Sequence, residues 1–298
     1  MKAPPFDFVR ASSVPEVLSL LAQHGDDARI LAGGQTLLAT LNMRLSEPRV
    51  LVDINDVPGL SGISLQHGYV RIGALTRHGD IEDSMVVRQH VPLLAMAAPH
   101  VAHRAIRNRG TLGGSIAFAD PAAEWPACAV ALDARIVVIG PQGERRIPAG
   151  DFFIDLYTTA LASGEIITAC EFPLPQPDRR YVFDELTRRH GDYAIVGLAA
   201  SARVEGSTLR DARLVFLGTG NIPMRARAAE AALEGGPPEG ARLEAARLAL
   251  ATELAPVADL YHSPEAKLHL ASVLMSRLAQ RLVATAAGTT PDHGGRHA

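Results

Sequence analysis

Behind Ser13-Val14-Pro15-Glu16, the apolar residues Val17, Leu18, Leu20 and Leu21 recur at helical spacing. The tetrapeptide reads as a capping box with proline in the first turn, so a helix is expected from Ser13 to about Gly25. Arg29-Ile30-Leu31-Ala32 is a short apolar run that stops at Gly33-Gly34, and the leucines between Gln35 and Leu45 return to a helical period. That order predicts a strand, a glycine turn and a helix, with Val50 to Ile54 as the next strand. Past Pro58 the pattern changes. Gly62 to Leu65 and Tyr69 to Leu75, parted by Gln66-His67-Gly68, predict a hairpin or a pair of neighbouring strands. Helices are expected near Arg77 to Asp83, over Val86 to Ala98, and from about Pro121 to Leu132. Arg135 to Ile139 and Glu144 to Pro148, joined by Gly140-Pro141-Gln142-Gly143, predict another hairpin.

The segment Pro173-Leu174-Pro175-Gln176-Pro177 interrupts every pattern and marks a domain boundary. Three β runs follow, Tyr181 to Leu186, Ala194 to Val204 and Leu209 to Leu217, with Gly206-Ser207 as the second turn of an antiparallel meander. Helices are expected from Met224 to Ala286, and the Gly/Thr/His-rich tail 288–298 is expected to be disordered. The resulting division is 1–57, 58–177 and 178–287, followed by the tail.

Composition narrows the function classes. The chain has 298 residues, enough for two domains or slightly more, and 47% hydrophobic with 20% charged residues describes a globular protein with a sizeable core. A net charge of −3 gives no electrostatic footprint for nucleic acid. No charge-free apolar run reaches the roughly 18 residues of a membrane span, and MKAPPFDFVR lacks a hydrophobic signal core, which predicts a soluble, cytoplasmic protein. Cys128 and Cys170 are too few for a disulfide framework or for the four thiolates an iron–sulfur cluster generally needs. His100 and His103 approach ligand spacing without a second pair, so no metal site is expected.

Two glycine pairs carry the candidate chemistry: Ala32-Gly33-Gly34-Gln35-Thr36 and Thr111-Leu112-Gly113-Gly114-Ser115. Glycines can adopt positive φ and turn adjacent N–H groups toward one point, and a following helix adds its positive end, so the two loops together suit a pyrophosphate. Either pair alone also reads as a tight turn. Neither fits the Walker loop or GxGxxG, and Gly218-Thr219-Gly220 lacks a third glycine. A nucleotide triphosphatase or a nicotinamide Rossmann enzyme is thereby disfavoured, while a dinucleotide held by paired loops outside a Rossmann unit stays open, a description that fits flavin adenine dinucleotide.

Ile106-Arg107-Asn108-Arg109-Gly110-Thr111-Leu112-Gly113-Gly114-Ser115, continuing to Asp120-Pro121-Ala122-Ala123-Glu124, resembles a long signature of the FAD-binding medium subunits of molybdenum hydroxylases. Carbon monoxide dehydrogenase flavoproteins and the flavin domain of xanthine dehydrogenases belong to that family, and the resemblance runs from the N-terminus to about residue 285. Gln35-Thr36 stands where many relatives have His-Ser, and Ser115 where many have Asn; both keep hydrogen-bonding capacity. The resemblance implies an α+β chain. A two-part α/β FAD-binding domain of the vanillyl-alcohol-oxidase type would be followed by a C-terminal domain of a three-stranded antiparallel sheet with helices.

The resemblance further implies that Ala32, Gly33, Gly34, Gln35 and Thr36 face the FAD pyrophosphate and ribityl chain together with Thr111, Gly113, Gly114 and Ser115. Asp120 and Glu124 fall near ribityl or ribose hydroxyls, where a carboxylate accepts from neutral O–H groups; the plain alternative is Asp120 as helix N-cap and Glu124 in the first turn. Tyr193, in Arg188-Arg189-His190-Gly191-Asp192-Tyr193-Ala194, is the candidate to cover one isoalloxazine face, or else simply starts a strand. The basic stretch Ile106 to Arg109 faces phosphate or serves the fold or a docking surface, and Trp125 is expected to anchor its helix to the core. No side chain is assigned a catalytic role. By resemblance, a large molybdopterin subunit oxidises the substrate, a small [2Fe–2S] subunit relays electrons to FAD here, and the whole is a dimer of heterotrimers. The competing reading is a free-standing FAD oxidoreductase of related fold.

Overall fold

The computed structural model describes residues 2–284, so the expectation for the tail 288–298 lies outside the described residues. The chain opens with a three-stranded parallel sheet, β1 (Asp7–Arg10), β2 (Ala28–Leu31) and β3 (Val50–Asp53), in the order β1-β3-β2. Its central strand is buried along its whole length, as a strand covered on both faces must be. Helix α1 (Val14–His24) starts where expected, with the Ser13 hydroxyl accepting from Glu16 N–H. The reciprocal half of the box is displaced: the Glu16 carboxylate accepts from the N–H and hydroxyl of Ser12. The helix after the first glycine pair is only α2 (Leu37–Asn42).

A second, five-stranded antiparallel sheet holds β4 (Ile63–Gln66), β5 (Tyr69–Gly73), β6 (Arg135–Gly140) and β7 (Gly143–Pro148). Both hairpins form as the sequence predicts. After a small ribbon, β8 (Phe153–Asp155) with β9 (Thr158–Thr159), the strand β10 (Ile166–Pro173) returns to fill the centre of this sheet, giving β4-β5-β10-β6-β7. The pattern reading has no strand there. IITACEF is a continuous apolar run interrupted only by Thr168 and Glu171, without the alternation of a half-exposed strand, because both of its faces are buried.

Between β5 and β6 lie α3 (His78–Asp83), α4 (Met85–His90), α5 (Pro92–Ala97), α6 (Arg104–Arg107), α7 (Leu112–Phe118) and α8 (Glu124–Ala131). The helix expected over 86–98 is broken at Val91, since proline at 92 removes an N–H and disfavours helical geometry in the residue before it. The helix expected from Pro121 begins three residues later, capped by Ala123. A short α9 (Ala149–Phe152) follows β7.

The C-terminal sheet consists of β11 (Arg179–Leu186), β12 (Val196–Glu205) and β13 (Thr208–Leu217), the expected meander, and a short fourth strand β14 (Met224–Arg225) extends its edge. Helices α10 (Arg227–Leu233), α11 (Gly240–Glu253) and α12 (Pro264–Ala284) follow. Alternation in β12 and β13 sorts side chains to opposite faces. Leu198, Ala200, Ala202, Leu214 and Phe216 share a core with Leu274, Met275 and Leu278 of α12, while Phe183, Ala199, Val215 and Leu217 join Trp125 and Cys128 of α8 in the core of the preceding domain.

Candidate functional site

Where β2 ends, the first glycine loop meets Arg109-Gly110, the residues that lead into the second. A Cβ on Gly33 would fall on the Arg109 carbonyl oxygen and 2.8 Å from Gly110 Cα, so the loops touch backbone to backbone. Asn55 and Arg77 lock the contact: Asn55 Nδ2 donates to Ala32 O at 2.9 Å, and the Arg77 guanidinium donates to Asn55 Oδ1 at 2.7 Å and to the Arg109 carbonyl. Neither residue carries a sequence signal; a lone asparagine after a strand and a lone arginine before a short helix are commonplace.

The two pairs do different work. Gly34 has φ +72°, and the backbone N–H groups of Gly33, Gly34, Gln35 and Thr36 have no partner among the described residues. Four amides left open at the edge of a cleft suit a polyanion. The second pair lies in the first turn of α7 without positive φ, and its N–H groups are already used: Gly113 donates to Ala74 O at 2.8 Å and Gly114 to the Thr111 hydroxyl at 3.2 Å. Its glycines serve close packing, since a Cβ at Gly113 would lie 2.5 Å from Ala74 Cβ and one at Gly114 would lie 2.8 Å from Thr111 Oγ1. The expectation of matched cradles is therefore corrected: the first loop offers amides, and the second forms a wall.

Both loops border one cleft of about 750 Å³, within the usual range for ligand sites. All twelve residues singled out from the sequence line it: Ala32, Gly33, Gly34, Gln35, Thr36, Thr111, Gly113, Gly114, Ser115, Asp120, Glu124 and Tyr193. The Gln35 amide donates to Gly33 O at 3.1 Å, which braces the first loop. Asp120 does not cap α8; its Oδ1 accepts from Ala122 N–H at 2.9 Å in a local turn, and burial raises its carboxyl above the usual range. Glu124, 9% exposed, opens α8, and burial, then the charge of Glu185, push its carboxyl up to about 8. Tyr193 stands at the rim, 67% exposed.

Several lining residues had no sequence signal. Tyr157, at the turn of the β8–β9 ribbon, packs against Phe118 with ring centroids 4.9 Å apart, and both rings border the cleft. His78 is buried behind the second loop, its Nδ1 accepting from Trp125 Nε1–H at 3.0 Å. Burial, then Arg77 and Arg107, lower its pKa to about 3, so it is neutral at ordinary pH. Trp125 is fully buried and anchors α8, as expected. Arg107 is also buried; it pairs with Glu82 at 2.8 Å and donates to the carbonyls of Val101 and Ala102, which assigns it to the fold and not to phosphate. Cys128 and Cys170 are free and buried, with thiol pKa values raised by burial, so neither is a reactive thiolate. Among the described residues no cluster of His, Cys, Asp or Glu suits a metal, and no helix is long and apolar enough to cross a membrane.

A two-part α/β module with an open amide cradle, closed on one side by an antiparallel α+β domain, defines a dinucleotide-binding subunit outside the Rossmann class. Residues 4–175 match the family model for the FAD binding domain in molybdopterin dehydrogenase, and residues 181–282 that for the CO dehydrogenase flavoprotein C-terminal domain. The chain belongs to this family of FAD-binding oxidoreductase subunits, the medium subunits of the molybdenum hydroxylases. It is 41% identical to the 6-hydroxypseudooxynicotine dehydrogenase complex subunit alpha of Paenarthrobacter nicotinovorans, over 93% of this chain and 94% of that one. The solved structure of carbon monoxide dehydrogenase from Hydrogenophaga pseudoflava matches with a TM-score of 0.90 and 36% identity, covering 93% of this chain and 96% of that chain. That of quinoline 2-oxidoreductase from Pseudomonas putida 86 matches with 0.91 and 35%, covering 97% and 100%.

Proposed function

We propose that this chain takes electrons from a small [2Fe–2S] subunit and passes them to an external acceptor, within a complex whose large molybdopterin subunit oxidises the substrate. The observation that carries the reading is the cleft itself. Four unpartnered amides at Gly33 to Thr36 border it, together with the buried carboxyl of Glu124, the half-buried Asp120 and the rings of Phe118, Tyr157 and Tyr193. That donor set fits FAD: the amides would hold the pyrophosphate, Asp120 and Glu124 the hydroxyls of the ribityl or ribose, and Tyr193 one face of the isoalloxazine. Thr36, Thr111 and Ser115 add hydroxyls along the same wall. Bound there, FAD supplies the capacity to take up electrons singly and release them as a pair.

The chain's own contribution is to bind, orient and shield. Its two buried cysteines cannot ligate a cluster, which supports electron supply from another subunit. The names of its relatives, among them a carbon monoxide dehydrogenase medium chain and a nicotine 6-hydroxylase medium subunit, support a multi-subunit assembly, and a dimer of heterotrimers in the cytoplasm is the form proposed. In this reading residues 1–57 and 58–177 form the two parts of the FAD domain, and 178–287 the C-terminal domain.

Purification of the tagged chain from its native host, with an absorption spectrum and metal analysis, tests this. Two co-purifying subunits with flavin, [2Fe–2S] and molybdenum are expected. A lone yellow chain that turns over a small substrate without metals would establish a free-standing flavoenzyme instead.

A further inference from the structure

His78, 6% exposed, opens α3 on the wall of the cleft. Its backbone N–H donates to Gly110 O at 3.0 Å, and its ring Nδ1 lies 3.0 Å from Trp125 Nε1. An indole N–H only donates, so Nδ1 must accept and carries no proton. In a neutral imidazole the proton then sits on Nε2. A charged ring would set two N–H groups against each other inside the core. In agreement, burial, then the charges of Arg77 and Arg107, lower the His78 pKa to about 3.

Nε2–H is thus a donor for which the chain supplies no acceptor. A Cβ on Gly110 would lie 2.6 Å from Nε2, so this atom sits against the approach to the second loop. Ile106 O, 3.3 Å from the same Cβ position, already accepts from Arg109 N–H at 3.0 Å and from Gly110 N–H at 2.8 Å. Among the described residues, the buried side-chain polar atoms without a partner belong to Glu185, Arg213 and Thr219. His78 Nε2 is not one of them, although no group among those residues accepts from it. It therefore keeps contact with solvent, and the space that His78 borders is the cleft. Gly110 is also the residue that Gly33 approaches, with 2.8 Å between the Cβ position of Gly33 and Gly110 Cα. Nε2–H accordingly lies about one residue's width from the loop that carries the open amides.

We propose that His78 is a further binding residue of the cleft: Trp125 fixes the ring as its Nε2–H tautomer, and Nε2–H donates to an oxygen of the bound dinucleotide where the two loops join. This rests on the reading of the cleft as the FAD site. Trp125 is then a positioning residue, which acts on the ligand only through the proton it confines to the far side of the imidazole. A neutral donor of this kind adds direction without adding charge, and a nearly enclosed N–H without an acceptor favours a ligand oxygen that satisfies it.

Nuclear magnetic resonance of the full purified chain with 15N-labelled histidine, its FAD released and then restored, tests this. His78 is recognised by its proximity to the indole proton of the chain's single tryptophan. At neutral pH Nε2 is expected to carry the proton and Nδ1 to be bare. On addition of FAD the Nε2–H proton is expected to move downfield and its exchange with water to slow about tenfold or more. A ring that only braces Trp125 would show the same shift and exchange with and without FAD. His78→Phe, which removes the donor and keeps an aromatic ring, is expected to weaken FAD binding about tenfold. A proton on Nδ1, an unmoved Nε2–H in the FAD-bound chain, or wild-type affinity in a folded His78→Phe chain overturns the proposal. If His78→Phe does not fold, the wild-type spectra decide alone. A chain with the Nε2–H tautomer that binds no FAD removes the reading of the cleft and the proposal with it, whereas bound FAD beside an unmoved Nε2–H removes the proposal alone.

Discussion

Gly33, Gly34 and Gly113 are glycine for three different reasons, and substitutions separate them. At Gly34 the backbone is left-handed, with φ +72°; at Gly113 a Cβ would strike Ala74; at Gly33 it would strike the backbone of the opposite loop. Backbone cannot rotate aside as a side chain does. Gly33→Ala is therefore expected to destabilise the chain by about 1–3 kcal/mol and to lose flavin by parting the loops, read as a lower Tm together with reduced flavin content. Unchanged flavin in a folded Gly33→Ala chain contradicts the loop contact. His78 makes a second residue-scale prediction. Its folded pKa of about 3 is depressed from 6.5, so the neutral ring stabilises the fold above pH 6.5, and that stability is lost as pH falls toward 3. Acid titration of Tm should show a decline over this window that is absent in His78→Gln. The glycine pairs themselves were legible in the sequence because glycine is conspicuous, but what each glycine avoids is not, since the obstructing atoms lie far along the chain.

Elements came through unevenly, for physical reasons. The helix α1 and the strands of the C-terminal meander were legible because each pairs a periodic apolar pattern with a local stop signal. β10 was not, because a strand buried on both faces lacks alternation, and its neighbours β5 and β6 lie at least 93 and 26 residues earlier in the sequence and come beside it only in the fold. The join of the two glycine loops is also an element-scale property. Arg77 spans from Asn55 to the Arg109 carbonyl, thereby tying the β2–α2 loop to the approach to α7. Arg77→Ala removes charge-assisted bonds worth about 1.5–3 kcal/mol and should weaken FAD binding by on the order of tenfold or more, measured by equilibrium release of flavin fluorescence. Retention equal to wild type would show that the loops hold each other without the bridge.

Across the whole molecule, the two domains share interior. Phe183, Ala199, Val215 and Leu217 of the C-terminal sheet belong to the same apolar core as Trp125 and Cys128, and Gly218 N–H donates to Pro121 O at 2.8 Å while Asn221 Nδ2 donates to Asp155 at 2.8 Å. A common core couples unfolding, so calorimetry of the intact chain should give one transition with matching calorimetric and van't Hoff enthalpies; two resolved transitions would refute that coupling. By itself the sequence determined the family, the α+β class, the order of most elements and the candidate residues of the cleft, because caps, turns and periodicity are local and the signature 106–124 is contiguous. Only the tertiary structure decided which amides stay open, which arginine is committed to the fold, and which carboxyl is buried. Those properties depend on what packs against a group from distant parts of the chain, and local pattern carries no record of that neighbour.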